Sequence, residues 1–309
     1  MDIAFFISFE RSVSSMFYEK YFVDKEIIRT KFGSICIENI KFNPDDLQES
    51  LPQIVFKDEN LKFMFSETEL DSFKSFNIFK RFIPKSAPSE LTINYISGCI
   101  ANNHNFYSFL AEGILGLVYR DLYKYQLSKG LIDVFDTEND THTGVDACMY
   151  DKNNNVIILG EAKFYDDLNS GINKIIEDFT DKNIRNKIES LVRSVENNRI
   201  ANEIVIKNID KQNFEEYTLE EFLNQKIVFA GFVLHSAANV KNYDSKTFYD
   251  RYNIDLEMLK ANIEKSLNIG EIEADYNIVI VHLPVKDKKE LIIKIIEMAK
   301  EKVKELRGE

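Results

Sequence analysis

The sequence contains no tryptophan, and residues that break regular structure or cross-link a chain are few. Among its 309 residues are 11 glycines, 5 prolines and 3 cysteines. So few breakers predict a chain made mostly of helices and strands. Cys36, Cys99 and Cys148 are scattered and form no CxxC motif, which excludes the usual zinc-site spacings. An odd, sparse cysteine count is typical of a reducing compartment such as the cytosol.

Long apolar segments and several common motifs are also missing. No apolar run approaches the roughly 20 residues that cross a bilayer. The first residues carry Asp2 and no basic leader, unlike a secretory signal. We therefore expect a cytoplasmic protein without a membrane partner. The absence of a GxxxxGK[ST] loop excludes a P-loop ATPase, and no serine nucleophile elbow is present.

Positive charge is scarce as well. Thirty-nine Lys and Arg residues face 51 Asp and Glu residues, which gives a net charge of −12. Proteins that hold nucleic acid unaided normally present a basic surface. A phosphate-directed enzyme with this charge would need a metal ion at the reacting phosphate, and a partner to hold the rest of the strand.

The apolar patterns predict an α/β fold. Strands are predicted at 3–9, 34–40, 53–56, 144–150, 156–164, 226–234 and 276–283. Helices are predicted at 12–21, 68–83, 104–127, 170–179, 182–196 and 288–306. Two prolines and small polar residues at 84–90 are typical of a linker. We therefore divide the chain into an N-terminal α+β elaboration, 1–95, and a main domain, 96–309; one domain with an elaborated N-terminus is the alternative.

Three charged residues interrupt the apolar strands at 144–150 and 156–164. Glu161 and Lys163 are two positions apart on one strand and therefore share a face. If the turn between the strands centres on residue 153, position 146 lies across from about position 160. This brings Asp146 within cross-strand reach of Glu161. Buried charges are costly unless they are paired or bind a metal, and Glu161-Ala162-Lys163 is the only Glu-x-Lys in the sequence.

Two carboxylates and an ammonium in this arrangement suit phosphodiester hydrolysis. Asp146 and Glu161 offer the oxygen ligands that Mg²⁺ prefers, and Mn²⁺ is a possible substitute. Such an ion polarises a phosphoryl oxygen and activates water. Lys163 would orient that water or offset charge on the phosphate. The alternative is an edge strand that carries a solvated salt bridge.

The motif resembles a known family of nucleases. Gly-Val-Asp146 followed by Leu-Gly-Glu161-Ala-Lys163 is similar to the D…ExK core of the PD-(D/E)xK, or restriction-endonuclease-like, superfamily. Val145 stands where the superfamily has proline. The resemblance implies a mixed β-sheet core flanked by helices.

The resemblance also assigns two further site residues. Superfamily members place an additional glutamate on the helix before the strand pair, and the matching residue is Glu112 in Ala-Glu-Gly at 111–113. The carbonyl of Ala162 is implied as a metal ligand beside Asp146, Glu161 and Glu112.

Residues 100–165 together resemble the nuclease subunit of the Hachiman anti-phage defence system. This implies a DNA nuclease that works with a superfamily 2 helicase, and the acidic charge fits a subunit whose partner holds the DNA. Two alternatives stay open. One is a catalytically silent adaptor that binds and regulates a helicase, and the other is an RNA-directed nuclease with the same site.

The remaining candidates have simpler interpretations. His104, His142, His235 and His282 are isolated in the sequence, and the last two end apolar strands, where packing or capping is expected. The basic stretch at 174–193 is interleaved with acids and favours a solvated helix face over a DNA contact. The apolar stripe of the final helix favours core packing, with docking to a partner as the alternative.

Overall fold

The computed structural model describes residues 23–29, 33–40, 44–65, 67–85, 87–102, 105–123, 126–127, 146–151, 156–178, 227–237 and 276–308. The predicted strand at 3–9, the predicted helices at 12–21 and 182–196, and both His104 and His142 lie outside them.

The described strands form one mixed sheet. They are β1 (Val23–Arg29), β2 (Gly33–Ile40), β3 (Gln126–Leu127), β4 (Ala147–Asp151), β5 (Val156–Tyr165), β6 (Ile227–Ser236) and β7 (Tyr276–Val285). The spatial order is β1-β2-β7-β6-β5-β4-β3. The four central strands are parallel, and the outer ones pair antiparallel. Parallel strands are covered on both faces, which explains the nearly continuous apolar runs of β5, β6 and β7.

The helices begin and end at residues suited to those positions. They are α1 (Pro44–Val55), α2 (Asp58–Met64), α3 (Ser72–Arg81), α4 (Ile93–Asn102), α5 (Asn105–Tyr123), α6 (Leu168–Asp178) and α7 (Lys288–Arg307). The Asp71 side chain accepts a 2.7 Å hydrogen bond from the amide of Lys74 and caps α3. Asp287 caps α7 in the same way. Gly308, with φ 73°, ends α7 in the left-handed conformation that glycine adopts without a steric penalty.

One face of the sheet packs against α5. A Cβ added at Gly160 would lie 3.0 Å from Cδ2 of Leu115, so the even-numbered residues of β5 face this helix. The buried hydroxyl of Tyr119 lies 3.0 Å from the carbonyl oxygen of Gly231 and 2.7 Å from that of Val279. These contacts hold α5 across the centre of the sheet.

The opposite face packs against α6. A Cβ added at Gly231 would lie 2.8 Å from Cγ2 of Ile175, and one added at Gly171 would lie 2.4 Å from Cγ1 of Val233. The odd-numbered residues of β6 therefore face α6. Because β5 alternates in the same way, its odd-numbered residues, which include Glu161 and Lys163, share this face.

The N-terminal helices share a core with the rest of the chain. Apolar side chains of α1, α2, α3, α5 and α7 belong to one buried cluster that also covers the α5 face of the sheet. β1 and β2 join the sheet through β7. The domain division at residue 95 stays a prediction. None of the described helices is both long and apolar enough to cross a lipid bilayer.

The α/β class and the mixed sheet with flanking helices are confirmed, but some predicted elements are wrong. The strand predicted at 53–56 overlaps the end of α1. Leu47, Leu51 and Val55 are all buried and recur every four residues, which is a helical spacing. The helix predicted at 104–127 ends at Tyr123, and Gln126–Leu127 pairs with β4 instead. β1, α2 and α4 were not predicted from the sequence.

Candidate active site

β5 carries two of the predicted site residues toward α6. The side chain of Glu161 is 8% exposed, and its Oε1 lies 2.6 Å from Nζ of Lys163. The side chain of Lys163 is 17% exposed. A largely buried ion pair therefore stands at the point where the apolar half of β5 ends.

The β4–β5 hairpin brings Asp146 to the same place. Ala147 pairs with Gly160, so Asp146, one residue earlier, lies across from Glu161; the predicted register was one residue off. The amide of Asp146 donates a 2.9 Å hydrogen bond to the carbonyl of Gly160. Its Oδ2 accepts a 2.7 Å hydrogen bond from the amide of Ala162. The Asp146 carboxylate thus lies against the backbone of β5, between Glu161 and Lys163.

A third carboxylate, which the sequence analysis did not single out, contacts Lys163 from α6. Oδ2 of Asp178 lies 2.8 Å from Nζ of Lys163, and the Asp178 side chain is 19% exposed. The sequence does carry a signal for this residue. Leu168, Ile172 and Ile175 form the buried stripe of α6, and Asp178 occupies the next position of that stripe.

The surroundings of Lys163 keep its side chain charged. Burial by itself lowers the pKa of this ammonium. The negative charge of Glu161, hydrogen bonds to Asp178 and Glu161, and the charge of Asp146 more than offset that effect and raise the pKa above its usual value. Lys163 is therefore a fixed positive charge at neutral pH, suited to binding anionic oxygens and unsuited to accepting a proton.

Glu112 is placed differently from the other predicted residues. It is half-buried on α5, the helix that packs on the opposite face from Glu161 and Lys163. Leu115, one turn later on α5, lies 3.0 Å from a Cβ added at Gly160 of β5. The role of Glu112 as a metal ligand stays a prediction.

The donor set fits a hard divalent cation. Among the described residues, no three or more His, Cys, Asp or Glu side chains are gathered closely enough to hold a metal ion by themselves. Mg²⁺ does not need such a cage, since it commonly takes one or two carboxylates and fills its remaining positions with water and phosphate oxygens. Asp146 and Glu161 supply two carboxylates beside the peptide of Ala162, which matches that requirement.

One known protein family matches most of the length of the chain. The family model HamA matches residues 21–299 of the chain. The chain belongs to the HamA family. The resemblance to the Hachiman subunit is thereby confirmed, and membership in the HamA family assigns the chain to the Hachiman type of anti-phage defence. All the predicted site residues lie within the HamA match. No curated protein matches the sequence.

A second polar group lies on the same sheet face of this HamA family member. Nε2 of His235 lies 3.3 Å from Nδ1 of His282, and the two residues are 2% and 0% exposed. The prediction that these histidines are packing residues is confirmed, but the two contact each other, and β7 continues beyond His282 to Val285. In the sheet register, Val233 of β6 pairs with Lys163 on one side and with His282 on the other.

Both imidazoles are neutral at neutral pH. Burial lowers the pKa of His235 to about 4, although a hydrogen bond with the backbone of Ser236 and the charge of Asp167 act in the opposite direction. Burial, and then the neighbouring His235, hold the pKa of His282 well below its usual value.

Proposed function

We propose that this chain is a Mg²⁺-dependent DNA nuclease of the PD-(D/E)xK type, with residues 96–309 as its restriction-endonuclease-like domain. The observation that carries the proposal is the meeting of Asp146, Glu161 and Lys163 at one end of the β4–β5 hairpin. No packing requirement explains two carboxylates and an ammonium in a largely buried position, since apolar residues of similar volume would be at least as stable there.

Each residue has a distinct part in this proposal. The carboxylates of Asp146 and Glu161 would hold the metal ion beside the Ala162 carbonyl. The resemblance also implies Glu112 as a ligand, although in this structure Glu112 does not form a three-carboxylate group with them. When bound there, the ion would supply positive charge at the scissile phosphate and lower the pKa of a coordinated water molecule. Lys163, whose ammonium stays protonated, donates hydrogen bonds to the attacking water or to a phosphate oxygen and offsets charge there.

The charge of the whole chain supports a complex in which a partner binds the nucleic acid and this chain cuts it. A net charge of −12 opposes binding to a phosphate backbone. In the proposed complex a superfamily 2 helicase holds the nucleic acid, and this chain cuts it. Membership in the HamA family supports this reading because the Hachiman type is a defence system.

The test compares two double variants of the complete complex. Glu161→Ala with Lys163→Ala removes one charge of each sign from the site. Lys174→Ala with Glu177→Ala removes an exposed ion pair on α6 and is the matched control. In plasmid degradation with Mg²⁺, we expect the site variant to be inactive, with the control equal to the unaltered complex. Full activity in the folded site variant would falsify the proposal.

Two further measurements separate the alternatives. Calorimetry of Mn²⁺ binding distinguishes a nuclease from a silent adaptor, because an adaptor has no need of the ion. Parallel assays on single-stranded RNA and on DNA of the same sequence decide the substrate, since the chemistry at the phosphate is common to both.

A further inference from the structure

Among the described residues, two carboxylates from different elements form ion pairs with Lys163. Glu161 lies on its own strand, with 2.6 Å between Nζ and Oε1, and Asp178 lies at the end of α6, with 2.8 Å between Nζ and Oδ2. Under the proposed function Glu161 has a second task, because it is also a metal ligand. A carboxylate that turns its oxygens toward a metal ion loses part of its contact with the lysine.

We propose that Asp178 is a positioning residue that anchors the ammonium of Lys163 and thereby leaves Glu161 able to bind the metal ion. The effect on metal binding by Glu161 rests on the proposed function. The anchoring of Lys163 rests only on its ion pair with Asp178, which joins β5 to α6. Without Asp178, Lys163 would compete with the metal ion for the Glu161 carboxylate.

The position of Asp178 on its helix supports a specific role. The last turn of α6 contains Glu177 and Asp178 and no basic residue. Acidic side chains are disfavoured there, because the C-terminal end of a helix dipole carries partial negative charge. Asp178 also continues a buried apolar stripe, where a leucine or isoleucine would pack at lower cost. The contact with Lys163 offsets both disadvantages.

A double-mutant cycle tests the anchoring through metal affinity instead of turnover. Mn²⁺ binding is measured by calorimetry for the unaltered chain, Asp178→Asn, Lys163→Met and the double variant. We expect Asp178→Asn to weaken binding about tenfold in the presence of Lys163, and less than about twofold in the Lys163→Met background. Asp178→Glu should restore affinity. Glu177→Gln, which removes the adjacent exposed charge, is the control and should change nothing.

A metal-free measurement tests the ion pair directly. A buried, ion-paired ammonium exchanges its protons slowly enough to give a ¹H–¹⁵N signal, which Lys163→Met identifies by its loss. We expect this signal in the unaltered chain, in Glu177→Gln and in Asp178→Glu. It should be broadened beyond detection in Asp178→Asn.

The outcomes distinguish this inference from the proposed function. Equal weakening by Asp178→Asn in both backgrounds would mean that Asp178 acts on the metal itself, and would overturn the positioning role. Unchanged affinity together with an unchanged Lys163 signal would overturn it as well. If the unaltered chain binds no divalent ion, the proposed function falls, whereas the NMR signal alone then supports or refutes the anchoring.

Discussion

The two faces of β5 differ in what they carry. The even-numbered residues Ile158, Gly160 and Ala162 face α5 and are buried among apolar side chains. The odd-numbered residues begin in the same way with Leu159, but continue with Glu161 and Lys163 toward α6. One strand thus carries core side chains on one side and the candidate site on the other, because successive side chains of a strand alternate between faces.

The largest expected effect is on the apolar face. Phe232 of β6 is fully buried in the cluster that α5 covers. Truncation by Phe232→Ala leaves a cavity and should lower the free energy of unfolding by about 3–5 kcal/mol. Urea denaturation measures this loss. At a temperature where the variant is folded, Mn²⁺ binding should be unchanged; a loss of affinity there would mean that the two faces are not independent.

The α6 face should be sensitive to acid. His235 has a pKa of about 4 in the folded chain and about 6.5 when unfolded, so the unfolded state takes up more protons between these values. The contribution of neutral His235 to the free energy of unfolding is fully present above pH 6.5 and is lost as the pH falls toward 4. The loss is about 3 kcal/mol, and His282 acts in the same direction.

Replacement of the histidine by a group that does not titrate tests this dependence. His235→Gln keeps an amide beside His282 and should flatten the slope of unfolding free energy against pH between 6.5 and 4. Asp167, whose charge raises the pKa of His235, stays in place. Identical slopes in the two proteins would show that His235 does not contribute to the acid response.

The smallest effect is expected at the contact between β5 and α5. In Gly160→Ala the new Cβ would lie 2.9 Å from Cβ of Ala147 and 3.0 Å from Cδ2 of Leu115, closer than unstrained packing allows. We expect a loss of about 1–3 kcal/mol in thermal or urea unfolding. Gly98→Ala on α4 meets no atom within 4 Å and should stabilise the chain by about 0.5–1 kcal/mol. Equal effects at both positions would contradict the close approach of α5.

Local patterns in the sequence were sufficient for the strands that bear the site. β5, β6 and β7 are apolar runs of strand length, and the Asp-Asn-rich segment between 151 and 155 predicted the hairpin. The nearness of Asp146 to Glu161 followed from that hairpin, although the predicted register was one residue off. The strand predicted at 53–56 failed because Ile54, Val55 and Phe56 form a short apolar run, while the four-residue spacing that extends back to Leu47 is helical.

The remaining contacts depend on the arrangement of distant segments. Asp178 meets Lys163 only because α6 returns across the sheet, and His235 meets His282 only because β6 and β7 are parallel neighbours. The register between parallel strands is set by long crossover connections, which leave no local signal. The strand order, with β7 between β2 and β6, is likewise a property of the whole core.

The central position of β7 has a consequence for how the chain is made. β2 is synthesised early, yet one of its edges stays open until residues 276–285 have left the ribosome and paired with it. Open strand edges recruit other strands, and such unfinished intermediates are prone to aggregate. Interrupted translation therefore leaves the β1–β2 pair separate from the other described strands of the sheet, as a substrate for chaperones and proteases.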